Sequence, residues 1–353
     1  MAKIISVGTA DAPYKLRQSE VKSFIHNLFS TSYNEIDRLI TVFDNSNISN
    51  RHFSVEMDWL SDEHAFSERN RIFKEVALEL SEKAINECLK NTGADYSDIN
   101  NIIYVTSTGL TTPTLDAILF NKLNLNRHIK RTPLWGLGCA GGASGISKAM
   151  DYVNAHPKQN ALVLAIELCS LTFQKDDLSK SNIVASSLFS DGCAAAFVAG
   201  SESKYANNNG VNLIDSMATI YEDSLDVMGW DIVNNGFKVL FSRDIPSIVK
   251  EYVNPNINEL ISKHNLSVED IKHYVAHPGG MKIISAYEES LGLTNGKLDN
   301  SRKVLKDHGN MSSPSVLYVL KEFFSKQHTA GEYGLISALG PGFSSELVLF
   351  KTA

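Results

Sequence analysis

The chain has 353 residues, of which 43% are hydrophobic and 21% charged, with 40 acidic against 33 basic side chains and a net charge of −7. That length is about two domains at about 150 residues each, enough to bury a core without staples, and the composition is too apolar for disorder. The acidic balance argues against a general nucleic-acid binder, which carries the opposite charge.

The N-terminus, Met1 to Gly8, lacks the apolar stretch of a signal peptide. The longest strongly apolar run, Ala161–Ile166, is far too short to span a bilayer. Both features predict a cytoplasmic protein. A helix is expected over Arg69–Asn91, then a strand over Asn101–Ser107. Arg131–Trp135 (RTPLW) reads as a poor buried strand because Pro133 cannot donate to a ladder. A helix over Ala143–Asn154 and strands over Ala161–Leu168 and Ala194–Val198 follow. Ser201–Gly210 (SESKYANNNG) is polar and turn-rich, so it reads as a connection. Beyond it come a strand over Lys272–His277, helices over Met281–Leu291 and Ser315–Lys326, and a strand over Leu347–Phe350. The alternation predicts an α/β protein.

The two sides of that connection look like repeats. Asp98-Ile99 precedes one strand and Asp270-Ile271 another, and a glycine-led turn followed by a helix comes about 40 residues after each. The division expected is therefore 1–205 and 206–353. Duplicated halves place a site where they meet, and the groups offered there are Cys139 and Asn310.

Four cysteines, Cys88, Cys139, Cys169 and Cys193, show no paired spacing. No zinc knuckle, redox motif or disulfide framework is expected. Cys139 stands apart because Trp135–Gly142 (WGLGCAGG) surrounds it with glycines just before a helix. Unpaired N–H groups and the helix dipole should lower its pKa and give an oxyanion site beside it. The other three read as packing cysteines. Gly136, Gly138 and Gly141 also spell G-x-G-x-x-G, with Glu167 closing the next strand, so a dinucleotide-binding oxidoreductase is a rival.

His277, in Tyr274–Gly280 (YVAHPGG), sits at a strand end where it can act as a base or donate to developing charge. His273 lies four residues earlier in a strand, not on a chelating helix face, and no metal site is expected. Asn310, in Asp307–Pro314 (DHGNMSSP), precedes a helix and could simply cap it. Its place in the repeat instead points its amide toward the cavity of Cys139. Gly340-Pro341-Gly342 forms a rigid turn that could shape a pocket wall.

Cys139 in GLGCAGG, His277 in AHPGG, Asn310 in GNMSS and the Gly340–Gly342 loop occur in this order along nearly the whole chain. Together they resemble the chalcone synthase-like, or type III, polyketide synthases of bacterial type. The resemblance implies the thiolase-like fold, two pseudo-repeated αβα halves, as a homodimer. It implies no cofactor, since acyl-CoA and malonyl-CoA are substrates. Cys139 would carry the acyl group, and His277 and Asn310 would hold the malonyl thioester and the enolate left by decarboxylation. Phe189 matches a gatekeeping phenylalanine, and a second pocket phenylalanine is replaced near Val239. Thr112 falls where a loop crosses into the dimer partner. Cys169, Thr172 and Trp230 fall on the pocket wall, Arg51 matches a CoA-binding position, and Lys282 follows the His277 turn.

The resemblance favours alkylpyrone or alkylresorcinol synthesis from a long acyl starter. The alternatives are a malonyl-primed synthase of a small phenolic and a ketoacyl synthase that initiates fatty-acid synthesis on acyl carrier protein. His277-Pro278-Gly279-Gly280 argues against the last, whose histidine lies in a His-Gln-Ala-Asn context.

Overall fold

Unbroken apolar runs without alternation need cover on both faces, and the sheet at the centre of the protein supplies it. The computed structural model describes residues 1–33, 35–241, 245–294 and 296–353. Its strands in chain order are β1 (Lys3–Asp11), β2 (Tyr14–Arg17), β3 (Asn50–Phe53), β4 (Asn101–Thr106), β5 (Lys130–Trp135), β6 (Asn160–Leu168) and β7 (Asp191–Ala199). They continue with β8 (Val211–Ile220), β9 (Met228–Val233), β10 (Gly236–Phe241), β11 (Ile271–Ala276), β12 (Tyr333–Gly340) and β13 (Ser344–Thr352). Every residue of β4, β6 and β7 is buried.

A nine-stranded mixed sheet runs β11-β12-β13-β8-β1-β7-β6-β4-β5. Its two sides repeat. β4 pairs parallel with β6, β6 antiparallel with β7, and β7 antiparallel with β1. On the other side β11 pairs parallel with β12, β12 antiparallel with β13, and β13 antiparallel with β8. β1 and β8 join the two sides at the centre, and residues 201–210 connect β7 to β8.

Helices α1 (Gln18–Phe29), α2 (Phe66–Lys90), α3 (Leu115–Leu123), α4 (Gly141–Ala155) and α5 (Lys180–Leu188) belong to the first half of the chain. α6 (Ile245–Ser262), α7 (Met281–Leu291), α8 (Asp299–His308) and α9 (Pro314–Phe324) belong to the second. α4 and α9, equivalent in the repeat, pack against each other and form one layer of core with alternate residues of β4, β6 and β7. α2 covers the opposite face of the same strands, while α6 and α7 cover β11 and β12. This is the thiolase-like fold, helices on both sides of a mixed sheet. It brings the N-termini of α4 and α9 together.

Arg131–Trp135 is part of a strand after all. β5 lies at the sheet edge and pairs only with β4. Its side chains alternate between exposed and half-buried, and an edge tolerates the proline that a central position excludes. No described helix is long and apolar enough to cross a membrane.

Candidate active site

Gly136 and Gly138 adopt φ of +88° and +47°, conformations open to glycine. They turn the chain out of β5 into a single 3₁₀ turn, Gly138–Ala140, that carries Cys139 directly into α4. The Gly138 N–H donates to Ser107 Oγ at 2.9 Å. A Cβ on Gly138 would fall 2.8 Å from Pro341 Cδ, and one on Gly340 would fall 2.5 Å from the Leu137 carbonyl oxygen. The Gly340–Gly342 loop therefore braces the cysteine turn from behind.

His277 leaves the end of β11 with its N–H donating to the Ser337 carbonyl at 2.8 Å. Its ring is 6% exposed, and neither nitrogen has a partner in the protein. Both nitrogens therefore remain free for a ligand.

Asn310 is held by its main chain. Its N–H donates to Leu188 O and its carbonyl accepts from Ser190 N–H, both at 2.9 Å, in a short bridge to Phe189. Oδ1 accepts from Ser312 N–H at 2.8 Å and Nδ2 donates to Gly279 O at 3.1 Å. These two bonds fix which end of the amide is which, and they leave one Nδ2 hydrogen unspent. Ser313, not Asn310, occupies the N-cap position of α9, though its side chain makes no capping bond there.

The structure brings Cys139, His277 and Asn310 to one place. Ser312 and Asn310 stand beside the thiol, where their polar groups favour its ionised form, and Asn310 bonds the carbonyl two residues beyond His277. The lowered Cys139 pKa expected from the helix start is not what this environment favours. Burial pushes the Cys139 thiol up to about 11, helped by the charge of Glu167 and opposed by Ser312 and Asn310. Burial also pushes His277 down to about 3. Desolvation outweighs the helix start, so both groups are neutral near pH 7.

Glu167 is fully buried at the end of β6. It accepts from Ser107 N–H at 2.9 Å, Ser107 Oγ at 3.2 Å, Thr108 Oγ1 at 2.8 Å and Ser313 Oγ at 2.9 Å. Burial outweighs those donors and raises it to about 7. So enclosed, it cannot serve a ribose, and the dinucleotide reading falls. The one sequence signal for its structural place was an acid closing an otherwise apolar strand.

Two cavities flank the site. An inner one of about 40 Å³ is lined by Cys169, Thr172, Phe189, Trp230 and Val239 together with apolar residues of α1. Cys169 lies close enough to Cys139 for their charges to interact. Phe189 packs against Trp230 at 6.0 Å and edge-on against Phe241 at 6.4 Å. An outer groove of about 380 Å³ is lined by Lys180, Leu188, Gly279, Gly280 and Lys282. Lys282 is exposed there. Lys180 was invisible to the motif reading, because a lone lysine at a helix start carries no local signal.

Arg51 is a correction. It is fully buried, donates from Nη1 to the carbonyls of Ser186 (2.6 Å) and Phe189 (2.9 Å), and lies over the rings of Phe53 and Phe43. It lines the inner cavity rather than the groove where a CoA phosphate would enter. Its role is to hold the Phe189 segment. Thr112 is exposed and lines neither cavity within this chain.

The family description "Chalcone and stilbene synthases, N-terminal domain" matches residues 1–203, and its C-terminal counterpart matches residues 212–353. The chain belongs to the chalcone and stilbene synthase family. It is a chalcone synthase-like transferase, a type III polyketide synthase. It is 43% identical to a putative chalcone synthase of Bacillus subtilis, with 99% of each chain covered. It is 32% identical to a 1,3,6,8-tetrahydroxynaphthalene synthase of Streptomyces peucetius, covering 99% of this chain and 92% of that one. Among solved structures it resembles the 1,3,6,8-tetrahydroxynaphthalene synthase of Streptomyces coelicolor, a bacterial type III polyketide synthase. The TM-score is 0.94 at 26% identity, with 99% of both chains covered.

Proposed function

We propose that this synthase loads a medium or long acyl-CoA on Cys139, extends it with malonyl-CoA and releases an alkylpyrone or alkylresorcinol. In loading, the Cys139 thiol attacks the starter thioester while its proton passes by way of His277 to the departing CoA sulfur, so CoA leaves as the thiol and His277 ends neutral. His277 relays that proton rather than holding it, since neither ring nitrogen is committed and burial disfavours the charged ring. Malonyl-CoA then enters by the outer groove, where Lys180 and Lys282 offer positive charge. Loss of CO₂ leaves an enolate at the thioester carbonyl. The free hydrogen of Asn310 Nδ2 and the N–H of neutral His277 donate to its oxygen, and its carbon attacks the Cys139 thioester, breaking the C–S bond so that the Cys139 thiolate leaves and the extended chain stands on CoA.

The observation that carries the starter is the inner cavity of about 40 Å³, whose apolar walls must part to admit an acyl chain. It begins at Cys169 and Phe189, and Val21, Phe24, Ile25, Leu60 and Val239 give it an apolar lining. Each buried CH₂ of a starter would contribute about 0.8 kcal/mol. The same reading makes the enzyme a homodimer, its exposed Thr112 loop meeting the partner. A malonyl-primed synthase of a small phenolic is the second reading, favoured by the names of the Streptomyces relatives.

The test is incubation of the purified protein with labelled malonyl-CoA and acyl-CoAs from acetyl to palmitoyl, with products weighed by mass spectrometry. Product should rise with chain length and contain the intact acyl group. Consumption of malonyl-CoA alone, with no fatty acyl group incorporated, would select the second reading.

A further inference from the structure

Asp11, His52 and His308 lie far apart in sequence, yet the fold gathers them beside the Asn310 turn. Asp11 ends β1, His52 lies in β3 and His308 ends α8, two residues before Asn310. One ligand atom from each falls within 4.8 Å of the others. His308 Nδ1 is 3.0 Å from Asp11 Oδ1, and His52 Nε2 is 3.8 Å from Asp11 Oδ2. We infer that this pair of imidazoles and carboxylate binds a divalent transition ion of the Zn²⁺ class, with water completing its shell.

Three features carry the inference. The donor set, two nitrogens and one oxygen, suits Zn²⁺, Co²⁺ or Ni²⁺ rather than Mg²⁺ or Ca²⁺, which take oxygen ligands. An outer shell is in place. The Tyr318 hydroxyl donates to Asp11 Oδ1 at 3.0 Å and its ring packs edge-on against His308 at 4.9 Å, the kind of contact that orients metal ligands. Access is also suitable, because the side chains of Asp11 and His308 are 41% and 24% exposed while His52 is nearly buried. Lys15, paired with His52 across β2 and β3, is the cation that works against the site.

A bound ion would fasten the end of α8 to β1 and β3. The connection to the active site is short: His52 N–H donates to Ser190 Oγ, and Ser190 N–H donates to the Asn310 carbonyl. The ion is thus a fixing point for the Asn310 turn, remote from the reacting atoms.

The test uses the full chain carrying Cys139→Ala, so that this half-buried thiol does not take the metal. After chelator treatment and dialysis, Zn²⁺ is titrated by calorimetry and Co²⁺ by visible absorption, both in excess Mg²⁺. One equivalent should bind per chain, with a tetrahedral-type Co²⁺ spectrum free of sulfur charge transfer and a higher melting temperature. His52→Ala and Asp11→Asn should each weaken binding by more than about 100-fold, beyond the 10–100-fold expected of an outer-shell partner. Equal binding in both variants would overturn the site, as would absence of stoichiometric binding. Should either variant fail to fold by circular dichroism, the Co²⁺ spectrum of the parent chain still decides: no nitrogen-ligated spectrum, no site.

Discussion

Replacing Glu167 with glutamine should change how stability depends on pH. The carboxyl is raised from the ordinary 4.5 to about 7, chiefly by burial. It is therefore easier to protonate in the folded chain than in the unfolded one. Stability from this group is fully present below about 4.5, is lost as pH rises through about 7, and is constant above. The size of that loss is about 3 kcal/mol, from about 1.4 kcal/mol per pH unit of displacement. Glutamine keeps the shape, can accept from Ser107 N–H through its carbonyl, and can donate to a serine hydroxyl. It removes only the titration. Urea denaturation of both proteins at pH 4.5, 6, 7 and 8.5 measures the difference directly. The gap between glutamine variant and parent should move by about 3 kcal/mol in favour of the variant across that range. Parallel pH profiles would refute the reasoning and mean that the carboxylate is ionised throughout, held by its four donors.

Iodoacetamide should label Cys139 first, since Cys88, Cys169 and Cys193 are buried. With the thiol at about 11, the rate should rise about tenfold per pH unit from 7 to 9, and a plateau near pH 7 by peptide mapping would contradict that. Asn310→Ala should slow malonyl-CoA decarboxylation by about 10²-fold or more, the scale of losing one oxyanion donor. Its melting temperature should fall little; a collapsed melt with unchanged decarboxylation would make Asn310 only a turn residue. Gly138→Ala places a methyl 2.8 Å from Pro341 at positive φ, so acyl-enzyme formation seen by intact-protein mass should fall more than overall stability does. Lys282→Glu should raise KM for malonyl-CoA more at low salt than at high salt, since an exposed charge is screened.

The strands of the central sheet were legible where their covering is complete. Ala161–Leu168 is apolar apart from Glu167 because helices cover both faces, and its limits differ from β6 by one residue. β9 and β10, a two-stranded pair with exposed Ile232 and Val233, lacked that signal. Cys139, His277 and Asn310 were legible because each sits where glycine or a strand end leaves a side chain free. Arg51 was misplaced because a basic residue looks the same in sequence whether it faces phosphate or backbone carbonyls. The rise in the Cys139 thiol was equally hidden, since it depends on enclosure by chain segments far away in sequence.

The outer groove and the inner cavity are divided by one peptide step, Leu188 on one side and Phe189 on the other. That same step is hydrogen-bonded to Asn310 through its backbone and pinned by Arg51. Widening the inner cavity by shifting the backbone here would drag the amide proposed to receive the enolate. Side-chain replacement at Cys169, Thr172, Trp230 or Val239 leaves that amide where it is. Descendants of this protein can therefore change which acyl groups they accept by single substitutions, while the bond-forming step is inherited intact.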